Sequence, residues 1–228
     1  MAKSGWETML EQPGDKKFAA HNERNQLPIL EKLQAYLPEC ASPPAEGSRP
    51  LDVLEVASGT GQHAAFLATR LHNVIWQPTD YDPVCIKSTD LWTDDLRNIV
   101  KPASVLDVTC EASSLPFPAS SFDIIYNCNM IHLAPIQVLH GFCACVGVLS
   151  RPGAKLFIYG PFKVGGEHVS ESNAEFDRKL RERDESWGIR GVEEVQSQMA
   201  KHEFAFLAKE EMPNNNFLLV FEKAAAKS

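Results

Sequence analysis

The segment 51–61 constrains the fold of this chain more than any other stretch. It reads Leu-Asp-Val-Leu-Glu-Val-Ala-Ser-Gly-Thr-Gly, so an apolar run that contains the acid Glu55 passes directly into a loop with two glycines. An apolar run of this length before glycines is typical of a buried strand that ends in a tight turn. Helical apolar spacing follows over 62–71. The sequence therefore predicts a strand, a glycine loop and a helix, the unit that binds a nucleotide-like ligand at the carboxyl edge of a parallel sheet.

The rest of the chain alternates between strand and helix patterns. Strands are predicted at 51–56, 74–77, 104–107, 122–128, 155–159, 203–208 and 217–222. Helices are predicted at 18–37, 62–71, 83–98, 136–149, 173–183 and 192–202, with Pro28 near the first turn of the first helix and a turn at Arg151-Pro152-Gly153 after the fourth. This alternation indicates an α/β fold with a mostly parallel sheet and helices on both faces. The last two strands have too short a connection for a crossover, so we expect a seven-stranded sheet whose last strand is antiparallel.

Length and charge limit the classes of function. For 228 residues we expect a single domain over 18–222 with a cap or insertion at 161–190, a flexible N-terminus at 1–17 and a frayed tail at 223–228. The net charge of −8 disfavours nucleic acid and anionic membranes as partners, since both need clustered Lys and Arg. The chain has no apolar stretch long enough for a membrane span, no apolar signal-peptide core and no Cys-x-x-Cys pair. We therefore expect a cytoplasmic protein with reduced thiols and no metal site.

The glycine loop by itself fits two classes of cofactor. Residues 59–64 read Gly-Thr-Gly-Gln-His-Ala, which also matches the G-x-G-x-x-A fingerprint of dinucleotide-binding proteins. Glu55 lies just before this loop, where it would repel a diphosphate and attract a cationic ligand. Asp80 follows the second predicted strand, where an acid can accept hydrogen bonds from ribose hydroxyls, and Asp107 ends the third, where an adenine amino group can be read. These acids favour a ligand with a cationic amine or sulfonium over a dinucleotide.

Residues 51–160 resemble class I S-adenosylmethionine-dependent methyltransferases, and several motifs together resemble those of one family within that class. They are Glu23-Arg24-Asn25, Glu55-Val56-Ala57-Ser58-Gly59-Thr60-Gly61-Gln62-His63, Trp76-Gln77-Pro78-Thr79-Asp80, Asn129-Met130-Ile131-His132, Tyr159-Gly160-Pro161-Phe162 and Met212-Pro213-Asn214-Asn215. Within that class, the chain resembles the methyltransferase-like protein twenty-six family, long labelled only as a domain of unknown function. The class pattern has Gly at position 57, where this chain has Ala57. We expect a mild effect, because close approach to the backbone should fall mainly at Gly59 and Gly61.

The resemblance implies a Rossmann-like class I methyltransferase fold with S-adenosyl-L-methionine as the cofactor. It implies that Glu55 and the 57–61 loop hold the methionine part, Asp80 the ribose and Asp107 with Val108 the adenine. It also implies that the segment from Asn127 to Asn129 faces the donor methyl group. The implied cofactor-binding residues are Arg24, Glu55, Ala57, Ser58, Gly59, Gly61, His63, Asp80, Asp107, Val108 and Asn127.

Methyl transfer from a sulfonium is an in-line displacement with a neutral leaving group, so it depends on alignment and a dry site more than on a fixed acid. The catalytic candidates on the acceptor side are His132, Tyr159 and Asn129. The candidates for substrate binding are Glu23, Asn25, Asn173, Asp177, Trp187, Asn214 and Asn215. Arg24 could bind a carboxylate, either of the cofactor or of an acidic acceptor. We expect a small-molecule acceptor.

Each of these assignments has a plainer alternative. Asp80 could be a strand-end or N-cap acid, Asp107 a turn former, His132 a hydrogen-bonded structural histidine, and Asn214 and Asn215 turn residues. Two other functions also fit the glycine loop. The chain could hold S-adenosylmethionine without catalysis, or it could be an NAD(P)-dependent oxidoreductase. The acceptor, its attacking atom and the oligomeric state are left open by the sequence.

Overall fold

The structure, a computed structural model, describes residues 13–225. Its strands are β1 (Leu51–Val56), β2 (Val74–Asp80), β3 (Ser104–Val105), β4 (Phe122–Cys128), β5 (Ser150–Gly160), β6 (Lys163–Val164), β7 (Glu167–His168), β8 (Phe204–Met212) and β9 (Asn216–Lys223). Its α-helices are α1 (Ala20–Tyr36), α2 (Gln62–Ala68), α3 (Pro83–Trp92), α4 (Ile136–Leu149), α5 (Glu171–Arg183) and α6 (Val192–Ala200). The predicted flexible segment 1–17 and the predicted tail 223–228 lie partly outside the described residues.

The main sheet has seven strands in the order β3-β2-β1-β4-β5-β9-β8. The pairs β1–β2, β2–β3 and β4–β5 are parallel, whereas β9 runs antiparallel to both β5 and β8. This confirms the predicted α/β fold, a seven-stranded and mostly parallel sheet with an antiparallel last strand. The chain divides into two compact units between Leu106 and Asp107, and each is described by itself below.

The first unit carries the glycine loop on β1 and α2. The carboxyl halves of β1 and β2 are buried, and their register pairs Glu55 with Pro78 and Val56 with Thr79. Helix α1 buries one apolar stripe, formed by Ile29, Leu30 and Leu33, in its C-terminal half. Buried polar residues, among them Asn25 and Gln26, occupy the preceding turns, so the two halves of α1 have different chemistry.

The second unit is built on β4, β5, β9 and β8. Most of β4, the carboxyl half of β5 and most of β9 are buried, as expected of strands covered on both faces. Helix α4 is buried along Leu139, Phe142, Cys143, Cys145, Val146 and Leu149. The segment 161–190, predicted as a cap, contains the β6–β7 hairpin and α5.

Two local predictions were wrong, and one hairpin was missed. Pro28 lies in the middle of α1 rather than near its first turn, because the helix begins at Ala20. The segment Arg151-Pro152-Gly153 continues β5 as an irregularity, since Phe122 pairs with Ser150 while Ile124 pairs with Lys155. The β6–β7 hairpin was not predicted, because its strands have two residues each and offer no periodicity.

The most apolar helix, α4, has 14 residues, fewer than the roughly 20 needed to cross a bilayer. Within 13–225, no helix combines the length and the hydropathy of a membrane span. None of the six cysteines, which all lie within 13–225, forms a disulfide, and burial raises the pKa of the Cys143 and Cys145 thiols to about 12. These thiols are therefore packing groups in their ordinary, protonated state.

Candidate functional site

The glycine loop has a left-handed backbone at three positions. Ala57, Gly59 and Gly61 have φ of +60°, +57° and +88°. Glycine adopts this region freely, whereas a side chain at such a position costs about 1–3 kcal/mol. Ala57 therefore occupies the position where the class pattern has Gly, and it does so in the conformation that favours Gly. The departure at this position carries backbone strain that the sequence did not reveal.

The two glycines serve different purposes. A Cβ at Gly61 would lie 2.4 Å from Thr89 Cα, so this glycine lets the loop pack against the backbone of α3. A Cβ at Gly59 would have no heavy atom within 4 Å. At Gly61 the close neighbour is the backbone of α3, and the ligand contact expected there stays a prediction. Gly59 keeps space in which a ligand can approach.

The amides of the loop are already hydrogen-bonded within the first unit. Ser58 N–H donates to Thr79 O (2.9 Å), Gly59 N–H to Asp80 Oδ2 (2.9 Å), and Gly61 N–H to Ser58 O (3.0 Å). The first amide of α2, at Gln62, donates to Thr60 Oγ1 over 3.3 Å. A phosphate cradle needs such donors to be free. These four amides are therefore not free to bind a diphosphate.

Glu55 is buried at the base of the loop, with 2% of its surface exposed. Burial raises its pKa to about 7, although hydrogen bonds from the Trp76 indole and Ser58 oppose that rise and nearby Asp80 adds to it. Trp76 Nε1–H donates to Glu55 Oε2 over 2.9 Å. Among residues 13–225, no Lys, Arg or His forms a salt bridge with Glu55. A cationic ligand would stabilise its charged form.

Asp80 closes the other side of the loop. Its Oδ2 accepts from Gly59 N–H, and its Oδ1 accepts from Asp82 N–H at 2.9 Å. The N-cap of α3 is Asp82, which accepts from Val84 N–H, so the alternative reading of Asp80 as an N-cap is wrong. Burial raises the pKa of Asp80, as it does for Glu55. The first unit thus places two buried carboxyl groups at the loop.

The N-terminal half of α1 is hydrogen-bonded to the loop and to α2. Ala19 N–H donates to Gln62 Oε1 (2.6 Å), Asn22 Nδ2 to Thr60 Oγ1 (3.1 Å), and Gln26 Nε2 to Gln62 O (3.0 Å). His63 Nε2 lies 2.8 Å from Asn25 Oδ1. Because that oxygen only accepts, His63 carries the proton on Nε2. Burial lowers the pKa of His63 to about 4, so the ring is neutral.

The predicted Glu23-Arg24-Asn25 segment lies on this helix, and its three side chains differ in exposure to solvent. Glu23 and Arg24 are exposed, whereas Asn25 is buried and bonded to His63. The first unit therefore brings Asn25 and His63 together, and it leaves the charges of Glu23 and Arg24 facing outward from the helix.

In the second unit, Asp107 forms a local turn. Its Oδ1 accepts from the amide (2.8 Å) and the hydroxyl (2.6 Å) of Thr109, which supports the alternative reading as a turn former. Val108 is buried, and a Cβ at Gly141 of α4 would lie 2.6 Å from Val108 O. The glycine in α4 thus permits close packing of the loop that carries both predicted adenine-binding residues.

The carboxyl ends of β4 and β5 bring the predicted catalytic residues together. Asn129 has φ of +55°, and its amide donates to Tyr159 O over 2.9 Å. A Cβ at Gly160 would lie 3.6 Å from both Asn129 Oδ1 and His132 Nδ1, so these two side chains converge over Gly160. The Tyr159 hydroxyl accepts from Asn216 Nδ2 at 3.0 Å. Asn127 is fully buried on β4.

The cap residues are held to their surroundings by hydrogen bonds. Asn173 Nδ2 donates to Asn215 O over 3.0 Å, which joins α5 to the turn before β9. Asn214 and Asn215 are exposed with φ of +61° and +57°, as expected of turn residues. Trp187 is half-buried and lies under the Arg183 guanidinium, 5.7 Å from the ring centre.

Asp177 organises the cap. It accepts from Ile189 N–H (2.7 Å) and His168 Nε2 (2.9 Å), and it lies 3.2 Å from Lys163 Nζ and 3.4 Å from Arg181 Nε. Burial raises the pKa of Asp177, but the hydrogen bonds from Ile189, His168 and Lys163 outweigh burial and lower it to about 2. These bonds make Asp177 a structural anion of the cap.

Sequence reasoning missed three groups that shape these regions. They are the Trp76 indole at Glu55, the Thr60 hydroxyl in the glycine loop, and the Arg190 guanidinium. Arg190 is buried and donates to the carbonyls of Ile131 (3.2 Å), Ala134 and Ser186 (3.0 Å). Trp76 and Thr60 stood in motifs quoted above, but neither side chain was assigned a role, and no spacing signal connects Arg190 with the segment after β4.

Solved structures of other proteins share this fold at low sequence identity. The CurJ carbon methyltransferase is 16% identical with a TM-score of 0.65, and the match covers 89% of this chain and 55% of that one. An O-methyltransferase family protein from Burkholderia thailandensis is 14% identical with a TM-score of 0.68, covering 91% and 62%. The [4+2]-cyclase SpnF is 15% identical with a TM-score of 0.59, covering 86% and 81%. This chain thus spans less than two thirds of the first two proteins, and the likeness shows the fold alone.

A family model matches nearly the whole of the chain. The match runs over residues 16–223, from three residues after the start of the described segment to the end of β9. It therefore includes the glycine loop, both buried carboxyl groups and the cap. The chain belongs to the family described as "Protein of unknown function (DUF938)".

Proposed function

We propose that this chain is a methyltransferase that binds S-adenosyl-L-methionine and methylates a small molecule. The pair of buried carboxyl groups at the glycine loop, Glu55 and Asp80, carries the proposal. Within residues 13–225, neither forms a salt bridge, so a ligand with a sulfonium and an ammonium group would supply the missing positive charge. The space above Gly59 gives such a ligand access to the loop.

The proposed cofactor contacts follow the resemblance described above. The methionine part would be held by Glu55 and by the loop residues Ala57, Ser58, Gly59 and Gly61. The other proposed cofactor-binding residues of the first unit are His63 and Arg24. Asp80 would accept from the ribose hydroxyls. In the second unit, the adenine would be read by Asp107 and Val108, and the donor methyl would be faced by Asn127. The cofactor supplies a methyl group on a positively charged sulfur.

The side chains on the acceptor side contribute alignment more than acid or base strength. At the ends of β4 and β5, the polar groups of His132, Asn129 and Tyr159 are suited to orienting an acceptor, and the His132 imidazole is suited to receiving its proton. A further set of residues is proposed to line the acceptor site: Glu23, Asn25, Asn173, Trp187, Asn214 and Asn215. Asp177 does so indirectly, because its oxygens are already bonded inside the cap.

Two observations separate this proposal from a nicotinamide-linked oxidoreductase. The amides of Ser58, Gly59, Gly61 and Gln62 are bonded to protein oxygens, and the two carboxyl groups beside the loop would repel a diphosphate. Calorimetric titration of S-adenosyl-L-methionine and of NADH into the same protein tests this directly. We expect binding of the first only. Binding of NADH alone would overturn the proposal.

A second candidate is a protein that holds the cofactor without chemistry. The structural likeness to a cyclase shows that this fold also occurs in a protein named for a different reaction. Turnover to S-adenosylhomocysteine across a broad screen of small molecules decides between them. Methylation that is lost in His132→Ala supports catalysis. Tight cofactor binding without turnover of any acceptor supports the binding protein.

We also propose that the closer relationship is to the methyltransferase-like protein twenty-six family. The support is the set of combined motifs on the N-terminal helix, the glycine loop, β2 and the ends of β4 and β5. The observed partners Asn25–His63 and Trp76–Glu55 join residues from different motifs in this set. Co-variation of these pairs across such sequences is the expected test.

A further inference from the structure

The hydroxyl of Thr60, between the two glycines of the loop, uses all of its hydrogen-bonding capacity. Thr60 is fully buried. Its Oγ1 accepts from Asn22 Nδ2 at 3.1 Å and from Gln62 N–H at 3.3 Å, and it donates to Gln62 Oε1 at 3.0 Å. One donor and two acceptor positions are the full capacity of a hydroxyl. Thr60 therefore joins the glycine loop to α1 through one atom.

The carbonyl of Thr60 extends this network to α3. Ser88 Oγ donates to Thr60 O over 2.7 Å and accepts from Lys17 N–H at 2.8 Å. Trp92 Nε1–H also donates to Lys17 O at 2.7 Å. The hydroxyl of Thr60 directly, and its carbonyl through Ser88, are thus hydrogen-bonded to the segment 17–26, which we call the strap. The strap is connected to the loop by polar groups on each side.

The strap differs from the rest of α1, and Pro28 separates the two parts. After Pro28 the helix is anchored by the buried apolar residues Ile29, Leu30 and Leu33. Proline has no N–H to donate to the carbonyl four residues earlier, so the helix is weakest at this point. Hydrogen bonds to the loop and to α2 and α3 therefore supply much of what holds the strap in place.

We propose that Thr60 is a positioning residue that couples closure of the strap to binding of the S-adenosyl ligand. The inference rests on the proposed function, because the loop that Thr60 positions is the proposed ligand site. When the strap is closed, the Thr60 hydroxyl orients the loop between Gly59 and Gly61. A ligand that binds the ordered loop then favours the closed strap, and the strap slows release of the ligand.

The test compares Thr60→Val, which removes the hydroxyl at nearly constant volume, with Thr60→Ser, which keeps it. The readouts are the dissociation rate of S-adenosylhomocysteine and hydrogen exchange of the amides in 20–26 and 29–36. We expect Thr60→Val to release the ligand about tenfold faster and to exchange 20–26 about tenfold faster, since a lost buried hydrogen bond changes an equilibrium by about this factor. Thr60→Ser should stay within about threefold of the wild type.

Gln34→Ala is the matched control, because Gln34 bonds α1 to Arg70 O on the other side of Pro28. It should leave both readouts unchanged. A uniform rise in exchange over 20–36 in Thr60→Val, or ligand release at the wild-type rate, would overturn the coupling. If the wild type binds no S-adenosyl compound, the proposed function and the ligand coupling both fail. Selective exchange of 20–26 in the free variants would then still show that Thr60 holds the strap.

Discussion

The indole N–H of Trp76 donates a 2.9 Å hydrogen bond to Glu55 Oε2, joining β2 to β1 directly beneath the glycine loop. This bond is made to a carboxyl group that is fully buried. A hydrogen bond to a charged group contributes about 1.5–3 kcal/mol, more than one to a neutral acceptor. Trp76 is therefore the main neutral donor that makes an ionised Glu55 tolerable at this position.

Trp76→Phe should reveal this dependence on charge. We expect a loss of about 2–3 kcal/mol in unfolding free energy at pH 8, where Glu55 is ionised, and about 1 kcal/mol at pH 5, where the raised pKa keeps it protonated. Trp92→Phe is the control, since its indole donates to the neutral carbonyl of Lys17. Urea unfolding of both variants at the two pH values checks this. Equal losses at both pH values in Trp76→Phe would contradict the role of Glu55.

Glu55 and His63 should affect the pH dependence of stability in opposite directions. The pKa of Glu55 is raised from 4.5 to about 7, so the folded state holds this proton more tightly and stability is lost as pH rises from 4.5 to 7. The pKa of His63 is lowered from 6.5 to about 4, so stability is gained as pH rises from 4 to 6.5.

Two single variants separate these effects. Relative to the wild type, Glu55→Gln should gain up to about 3 kcal/mol between pH 4.5 and 7, because the cost of ionising the buried group is removed. His63→Gln should lose a comparable amount, up to about 3 kcal/mol, between pH 4 and 6.5. Urea midpoints measured across this range provide the test. If the urea midpoint changes with pH in the same way in the wild type and in both variants, the pKa of neither Glu55 nor His63 is shifted by folding.

The two glycines of the loop should differ sharply in how well they tolerate substitution by alanine. Gly61→Ala places a Cβ 2.4 Å from Thr89 Cα, so we expect a loss above about 4 kcal/mol or failure to fold. Gly59→Ala meets no heavy atom and should cost only about 1–2 kcal/mol from its positive φ. It should nevertheless weaken ligand binding, because the new methyl group enters the open space. Thermal melts with and without S-adenosylhomocysteine separate the two effects.

Ala57→Gly should stabilise the protein. The substitution removes the strain of φ +60° but adds backbone freedom to the unfolded chain, so the net gain should be about 1 kcal/mol or less. Ala65→Gly, within α2, is the control and should cost about 1 kcal/mol. Denaturant melts of the two variants should therefore shift in opposite directions. A destabilised Ala57→Gly would show that the strain at position 57 is absent.

Arg190 should be needed for the order of the segment after β4. Arg190→Lys keeps the charge but loses the fork that serves three carbonyls, and we expect a loss of about 2 kcal/mol. Arg178→Lys, on the exposed face of α5, should change stability by less than about 0.5 kcal/mol. Hydrogen exchange of 129–134 should quicken in the first variant only. Unchanged hydrogen exchange of 129–134 would show that Arg190 does not order this segment.

The parts of this molecule that could be predicted are those with signals in consecutive residues. The run into Gly59 indicated β1, the loop and α2, and the apolar spacing of α4 gave both of its ends, Ile136 and Leu149. The short join before Phe217 indicated the antiparallel end of the sheet. In each case, local chemistry and tertiary structure agree.

The parts that could not be predicted depend on partners distant in sequence. Gly61 is required by Thr89 across a helix contact, and Glu55 receives its hydrogen bond from Trp76 on the neighbouring strand. Arg190 reaches carbonyls more than 50 positions earlier, at Ile131 and Ala134. Side-chain direction and register decide such contacts, and neither can be read from composition or periodicity.

A crystal structure of the protein with S-adenosylhomocysteine would show whether Glu55 and Asp80 line the cofactor site. We expect the ligand at the glycine loop, with Asp80 oxygens within about 3 Å of the ribose hydroxyls and the ligand's amino group on the Glu55 side of the loop. Adenosine bound at a distance from both carboxyl groups, or a loop whose amides turn to hold a phosphate-bearing ligand instead, would contradict this expectation.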